Sequence, residues 1–470
     1  MHPNYKTNIL YDKTILIDRF STISRLFCIK KCISLDSSCQ FFEFTSSKIC
    51  TIFSSFNKEN FLWENEIHLR EKKLPRIHFL NGSFVERSQL LSSVSFNLSR
   101  NGINLIAPFV FENSNRTTTL DLSFNNLTLI YSNSFYGMIN LKTLNLRFNQ
   151  ISQLESDAFK ELPSLADLQL GYNSLRYLNG NIFDNLQSLQ EINLEFNQIE
   201  SIERYTFKNL NKLWKISLNN NFLKLLEPIF YNLSAFRILD VSSNQIIFIH
   251  NDTFKTFDNL KDILISENEI LEINSETFKG ASGLERLFIN SNKIKKIDEK
   301  FTQNVANLIH LDISKNNLSL IETKIFNNLT ELQTLNLDFC NLKEINLNTL
   351  AKLKYLFLRN NFINFFSQNL GSLLELRLTS NPLGNLTYPL ITSPNSALTA
   401  LGISYCQLKY IDFDVLRNYP NLKFLNIAWN PLNLSNDTFN GFKSLMKVFL
   451  KADDFNRFRI LYPNITFEIS

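Results

Sequence analysis

The sequence predicts an α/β solenoid, in which short parallel strands stack one per repeat, preceded by a small cysteine-rich α+β module. Three observations predict this fold class: an asparagine recurs about every 24 residues, apolar residues hold fixed positions around it, and four cysteines cluster before the first repeat. At 470 residues the chain is longer than a single hydrophobic core usually grows. Stacked units that share one continuous core are therefore the favoured arrangement.

The repeated asparagine anchors a fixed pattern of buried positions. Apolar side chains lie eight, five and three residues ahead of it, as Leu141, Leu144 and Leu146 do ahead of Asn149. The last two alternate as in a strand. Further apolar residues and a phenylalanine, such as Phe159, follow the asparagine. An amide both donates and accepts, which suits buried backbone groups where a strand turns away. The regular asparagines are Asn125, Asn149, Asn173, Asn197, Asn221, Asn244, Asn268, Asn292 and Asn316.

This pattern resembles the leucine-rich repeat family, in its typical extracellular form, over roughly residues 93–450. The resemblance implies a leucine-rich-repeat horseshoe with short parallel strands on the concave face and a phenylalanine stack on the convex side. Cys340 and Cys406 replace the asparagine in two repeats, and we predict that both are buried free thiols. Repeat lengths vary between residues 350 and 400, so we expect an irregular solenoid there.

The other four cysteines lie close together near the N-terminus. Cys28 and Cys32 are spaced to share one face of a helix, and the run Cys39–Phe44 reads as a strand. Four cysteines allow three disulfide connectivities. A zinc site and reduced thiols are alternatives, but zinc ligands usually come as C-x-x-C pairs, and the cluster has no such pair and no histidine. Disulfides are favoured, which predicts an oxidising compartment.

The run FCIKKCISLDSSCQFFEFTSSKICTIF resembles the core of a PAN/apple module, and the match covers about residues 5–73. The resemblance implies that Cys28 bonds Cys50 and that Cys32 bonds Cys39, so that the disulfides staple a helix to the sheet. We predict four segments: the PAN/apple-like module at 1–73, an N-terminal cap with a degenerate first repeat at 74–116, the repeats at 117–451, and a C-terminal cap at 452–470.

Motifs for catalysis are absent from the sequence. It contains no GxxxxGK[ST], GxSxG or GxGxxG motif, and no two of its five histidines have the i, i+4 spacing of a helical metal pair. We therefore predict that the protein is not an enzyme and has no catalytic, cofactor-binding or metal-binding residues. A net charge of +4 is close to balanced and implies no nucleic-acid partner.

Targeting signals are sparse. No run of 18 or more apolar residues occurs, and the first residues lack the apolar stretch of a signal peptide. We expect a soluble protein, a processed ectodomain or a sequence that lacks its leader, with no membrane span in this chain. Sequons for N-glycosylation begin at Asn81, Asn97, Asn115, Asn126, Asn232, Asn251, Asn317, Asn328, Asn385, Asn433, Asn436 and Asn464.

The variable positions of the strands should form the binding surface. Basic and acidic residues at these positions are equal in number, which suits a protein partner better than a polyanion. Aromatic residues directly precede the asparagine in consecutive repeats, where they could anchor a partner or pack on neighbouring repeats. The candidates for partner binding are Phe124, Arg147, Phe148, Tyr172, Glu195 and Phe196.

Together these features predict an extracellular or cell-surface recognition scaffold of the adhesion, matrix or receptor-ectodomain type, which binds a protein ligand through the concave face. The alternative is a cytosolic scaffold or enzyme inhibitor, which the two unpaired cysteines of the repeats and the missing leader allow. A third hypothesis places recognition in the module at 1–73, with the solenoid as a spacer.

Overall fold

The computed structural model describes residues 9–10, 14–20, 39–44, 50–54, 79–80, 94–322 and 324–469. The chain divides into two compact units. Unit 1 comprises Met1–Leu175 and Asn181–Leu189, and unit 2 comprises Arg176–Gly180 and Gln190–Ser470. Each unit is built from stacked parallel-strand turns, of which there are about 15 in all.

The N-terminal part of unit 1 contains a four-stranded antiparallel sheet with the order β1-β2-β4-β3. Its strands are β1 (Ile9–Leu10), β2 (Thr14–Phe20), β3 (Cys39–Phe44) and β4 (Cys50–Ser54). Strand β3 confirms the strand that the sequence predicts at this position. The predicted helix with Cys28 and Cys32 lies outside the described residues. The disulfides and the PAN/apple assignment stay predictions, as do the segment boundaries.

The repeats of unit 1 each place a three-residue strand in one parallel sheet. Thr119 pairs with Ser95, and Thr143 with Thr119 and Asp167, so each turn of the chain advances by one strand. A second row of two-residue strands follows the turns. The strands are β5 (Phe79–Leu80), β6 (Ser95–Asn97), β7 (Leu105–Ile106), β8 (Thr119–Asp121), β9 (Leu129–Ile130), β10 (Thr143–Asn145), β11 (Gln153–Leu154) and β12 (Asp167–Gln169).

Unit 2 contains the same two kinds of strand. The strands of its parallel sheet are β14 (Glu191–Asn193), β16 (Lys215–Ser217), β18 (Ile238–Asp240), β20 (Asp262–Leu264), β22 (Arg286–Phe288), β24 (His310–Asp312), β25 (Thr334–Asn336), β26 (Tyr355–Phe357), β27 (Glu375–Arg377), β29 (Ala400–Gly402), β31 (Phe424–Asn426), β32 (Lys447–Leu450) and β33 (Thr466–Ile469). The second row comprises β13 (Tyr177–Leu178), β15 (Ser201–Ile202), β17 (Leu225–Leu226), β19 (Phe248–Ile249), β21 (Glu272–Ile273), β23 (Lys296–Ile297), β28 (Asn385–Leu386) and β30 (Tyr410–Ile411). Helices are α1 (Phe301–Asn304), α2 (Phe413–Arg417) and α3 (Ala452–Leu461).

The core consists of the leucines of each repeat and the recurring phenylalanine. Leu141, Leu144 and Leu146 are fully buried. Phe135 and Phe159 are buried as well, and their rings stack with centroids 6.1 Å apart. Burying such a side chain contributes about 1.5–3 kcal/mol, so each repeat depends on its neighbours for stability. The predicted phenylalanine stack is confirmed from Phe135 through Phe159 to Phe183, between Phe207 and Phe230, and between Phe254 and Phe278. The recurring phenylalanines are all buried: Phe135, Phe159, Phe183, Phe207, Phe230, Phe254, Phe278, Phe301 and Phe326.

The asparagines form a hydrogen-bonded ladder between repeats, as their amide chemistry predicts. In Asn125, Oδ1 accepts from the backbone N–H groups of Asn101 and Ile103, both at 3.0 Å. Its Nδ2 donates to the carbonyls of Leu98 at 2.9 Å and Leu122 at 2.8 Å. One buried side chain therefore satisfies backbone groups of two repeats, which a buried turn requires.

Between residues 350 and 400 the strands keep their register while the connections change. Leu356 pairs with Leu376, and Leu376 with Leu401, although the spacing between them varies. In the connection between β26 and β27, the buried Gln368 accepts from the Leu347 N–H at 2.8 Å and donates to the Ile345 carbonyl at 3.1 Å. The irregularity therefore lies in the connections, where a glutamine satisfies the buried backbone groups.

Candidate functional site

The residue before each ladder asparagine adopts a left-handed backbone conformation. Phe124 has φ of 55°, Phe148 54° and Tyr172 56°. The N–H of Phe124 donates to the Arg147 carbonyl of the next repeat at 3.0 Å, which holds the turn in place. Such angles cost roughly 1–2 kcal/mol in residues other than glycine, so the ladder must stabilise them. The repeat pattern does not predict this conformation, although the ladder asparagine marks its position.

In unit 1 this turn stacks the aromatic side chains. The rings of Phe124 and Phe148 are nearly parallel with centroids 4.3 Å apart, and the same distance separates Phe148 from Tyr172. Phe124 is 44% exposed and Phe148 is 36% exposed. Both interpretations of the sequence therefore describe these rings, because they pack on each other and still present one side to solvent.

Two arginines complete the stack. The guanidinium of Arg100 lies 4.6 Å from the centroid of Phe124. That of Arg147 lies 5.7 Å from Phe148 and 5.4 Å from Tyr172. These are cation–π distances. We call these five residues the aromatic edge: three stacked rings with a cation at one end and a second cation beside two of them.

Of the predicted partner-binding residues, four come together and two belong to unit 2. Phe124, Arg147, Phe148 and Tyr172 form the aromatic edge. Phe196 shares their conformation with φ of 49° and is 41% exposed. Glu195 is half-buried, and its N–H donates to Asn193 Oδ1 at 2.9 Å.

Many charged strand residues are engaged within the protein. The carboxylates of Asp121, Asp240 and Asp312 each accept the N–H two residues further on. Asp262 and Asp338 are buried and pair with arginines of the following repeats. Counting charges in the sequence therefore overstates the acidic surface that a partner can reach.

Cys340 and Cys406 are buried free thiols, as predicted. The Cys340 Sγ donates to the Ile313 carbonyl at 3.5 Å, which is the role of the asparagine amide in other repeats. The N–H of Leu318 donates to the Cys340 backbone carbonyl at 2.9 Å. Burial raises the pKa of both thiols to about 12, so they are poor nucleophiles.

Among the residues that the structure describes, no cluster of histidine, cysteine or acidic side chains could hold a metal ion. Within the same residues, no helix is both long and apolar enough to cross a bilayer. The sequon asparagines from Asn97 onward are all exposed, and Asn81 lies outside the described residues.

Comparison with known families gives two matches that together extend over residues 94–342. The family described as "Leucine rich repeat" matches residues 94–151, 139–199 and 282–342. The "BspA type Leucine rich repeat region (6 copies)" matches residues 177–308. The chain is a leucine-rich repeat protein. No curated protein matches this leucine-rich repeat protein over its sequence.

Solved structures share the fold at low sequence identity. A leucine-rich repeat protein of Leptospira interrogans is 23% identical with a TM-score of 0.69, covering 83% of this chain and 99% of its own. The chain in the TLR13–ssRNA13 complex is 19% identical with a TM-score of 0.60, covering 84% of this chain and 65% of its own. The chain in the LRIM1/APL1C complex is 20% identical with a TM-score of 0.56, covering 79% of this chain and 63% of its own. These similarities show the leucine-rich repeat fold.

Proposed function

We propose that this leucine-rich repeat protein is an extracellular recognition scaffold that binds a protein partner, with the aromatic edge as one contact surface. The observation that carries the proposal is the set of stacked rings at Phe124, Phe148 and Tyr172, which combines exposure with rigidity. Stacking and the left-handed turn already fix these rings. They would therefore lose little side-chain entropy when a partner binds. Aromatic and arginine side chains are also the usual energetic anchors of interfaces.

The extracellular part of the proposal rests on the N-terminal cysteines and the sequons. The free thiols of the repeats no longer favour the cytosolic alternative, because Cys340 and Cys406 are fully buried in the core and would be shielded in either compartment. One similar structure, the LRIM1/APL1C complex, contains two proteins bound to each other, which is consistent with a binding role for this fold.

Partner capture with matched variants tests the contact surface. Wild-type protein, a Phe124→Ser/Phe148→Ser variant and a Phe362→Ser/Tyr410→Ser control would be immobilised and exposed to secreted and cell-surface proteins. The control residues are exposed aromatic side chains elsewhere, at 58% and 56%. We expect a protein retained by the wild type and the control but lost with the edge variant. Equal retention by all three, with a lower melting temperature of the edge variant, would show that the rings only pack.

Peptide mapping without reducing agent tests the location. We expect Cys28, Cys32, Cys39 and Cys50 to be recovered in disulfide-linked peptides. Recovery of all four as free thiols would favour the cytosolic scaffold or inhibitor instead.

A further inference from the structure

A groove of about 680 Å³ lies at the start of five consecutive strands of unit 2, β14, β16, β18, β20 and β22. Its floor and walls include Lys212, Trp214, Arg237, Lys261, Asp262 and Arg286. The residues seven positions before the ladder asparagine lie in neighbouring rows, because the Arg237 N–H donates to the Trp214 carbonyl and the Lys261 N–H to the Arg237 carbonyl, both at 2.9 Å. Parallel strands place such rows about 4.8 Å apart, close enough for one short peptide to contact several.

Four of the groove's charges neutralise one another. Lys261 Nζ lies 2.7 Å from Glu285 Oε1, and Arg286 pairs with the buried carboxylate of Asp262. These ion pairs form one side of the groove and contribute no net charge.

The two cations at the other side are not neutralised. Lys212 and Arg237 are exposed, and neither has a side-chain hydrogen bond or ion pair with any residue from 94 onward that the structure describes. Trp214, whose indole is half-buried, lines the groove with them. We call the site formed by Lys212, Trp214 and Arg237, together with the adjoining ion pairs, the cationic groove. It combines two uncompensated positive charges with one large apolar surface.

We propose that the cationic groove binds an acidic segment of a protein partner, with carboxylates at Lys212 and Arg237 and an apolar side chain against Trp214. This inference rests on the proposed function and names the chemistry of the partner. Charge complementarity favours a carboxylate-bearing peptide. A uniformly charged polyanion fits less well, because Asp262 and Glu285 lie within the same groove and would repel continuing negative charge. Two free cations also fall short of the many phosphate contacts that tight nucleic-acid binding uses.

The test uses the full chain and a fluorescein-labelled hexapeptide of alternating character, Glu-Leu-Glu-Glu-Leu-Glu. Binding is measured by fluorescence anisotropy. The comparison probes are the peptide with lysine in place of glutamate and an oligouridylate of equal negative charge. We expect the acidic peptide to bind, the basic peptide not to bind, and affinity for the acidic peptide to fall as salt rises. We further expect the acidic peptide to quench the fluorescence of Trp214, with the quenching absent in Trp214→Phe.

Matched variants assign the binding to the groove. Lys212→Glu/Arg237→Glu should lower the affinity for the acidic peptide about ten-fold or more. Each charge reversal replaces an attraction to a carboxylate with a repulsion. The control Lys409→Glu/Lys443→Glu changes net charge by the same amount at exposed lysines outside the groove, and should leave affinity within about two-fold. Thermal melting checks that both pairs fold.

Several results would overturn this inference: no binding of the acidic peptide to wild type, equal weakening in both variant pairs, or tighter binding of the oligouridylate. The proposed function is tested separately by capture with the Phe124→Ser/Phe148→Ser variant. If the acidic peptide does not bind, but the edge variant no longer retains a protein that the wild type captures, the cationic-groove proposal is wrong and the proposed function stands.

Discussion

The aromatic edge of unit 1 and the cationic groove of unit 2 use different positions of the repeat pattern. The rings of the edge directly precede the ladder asparagine, whereas Trp214 and Arg237 lie seven residues before it. At the aromatic edge, Phe148 stacks on rings on both sides, and Arg147 lies near two of them. In the cationic groove, Lys212 and Arg237 extend into solvent without an ion pair in the described part of the chain. Side chains of both surfaces are exposed. The difference is that the rings of the edge contact one another, whereas the two cations of the groove have no ion-pair partner in the described part of the chain.

This difference separates two routes to binding. A stacked ring contributes to folding and is rigid before a partner arrives, so its replacement should affect both stability and affinity. A free cation contributes little to folding and acts only when an opposite charge comes near.

The largest expected effect comes from the ladder asparagines, which occur in each unit. Asn125→Ala and Asn221→Ala should each lower the free energy of unfolding by about 2–4 kcal/mol, because each leaves buried backbone groups of two repeats unsatisfied. Urea denaturation followed by circular dichroism would measure this. Asn221→Cys serves as the control and should cost less, since Cys340 and Cys406 donate to the equivalent carbonyls. A large cost in only one unit would mean that the units differ in more than their surfaces.

The next largest effect is the difference in stability between replacing a stacked ring and replacing a free cation. Phe148→Ser should lower the free energy of unfolding by about 1–2 kcal/mol through lost stacking and apolar burial. Arg237→Ser should change it by less than about 0.5 kcal/mol, as surface substitutions usually do. Urea titration of both variants in parallel would measure the difference. Equal costs would remove the distinction between a structural and a free surface.

The smallest effect concerns pH. His310 is half-buried beside Phe288, and burial, followed by the charge of Arg286, lowers its pKa from 6.5 while Asp312 opposes the shift. The unfolded chain then binds more protons below pH 6.5, so the free energy of unfolding should fall as the pH drops through and below that value. Urea midpoints between about pH 7.5 and about pH 5 should show a shallower slope for His310→Gln than for the wild type. Identical slopes would show that His310 contributes no linkage.

The sequence predicts the solenoid well because its signal repeats. The leucines, the ladder asparagines and the buried phenylalanines each recur at a fixed spacing, and a stacked fold converts that spacing directly into contacts. The positions of Cys340 and Cys406 in the pattern likewise predict buried free thiols, and both are buried and free.

The surfaces are harder to predict because they depend on backbone angles and on partners in other repeats. Nothing in Phe124 or Phe148 indicates a left-handed turn, yet that turn sets the stacking. The pairing of Asp262 with Arg286 joins residues one repeat apart, and it leaves Arg237 as a free charge that composition could not single out. Side-chain geometry, which the repeat pattern does not specify, decides which positions remain available.

Hydroxyl-radical footprinting of the full chain, with and without a captured protein, would show directly whether partners bind through these two surfaces. Oxidation of Phe124, Phe148 and Trp214 would be compared with that of Phe362 and Tyr410, which are exposed elsewhere. We expect the partner to protect rings of the aromatic edge, the cationic groove or both, while the two control residues stay fully reactive. Protection of Phe362 and Tyr410, with the edge and groove unchanged, would contradict it.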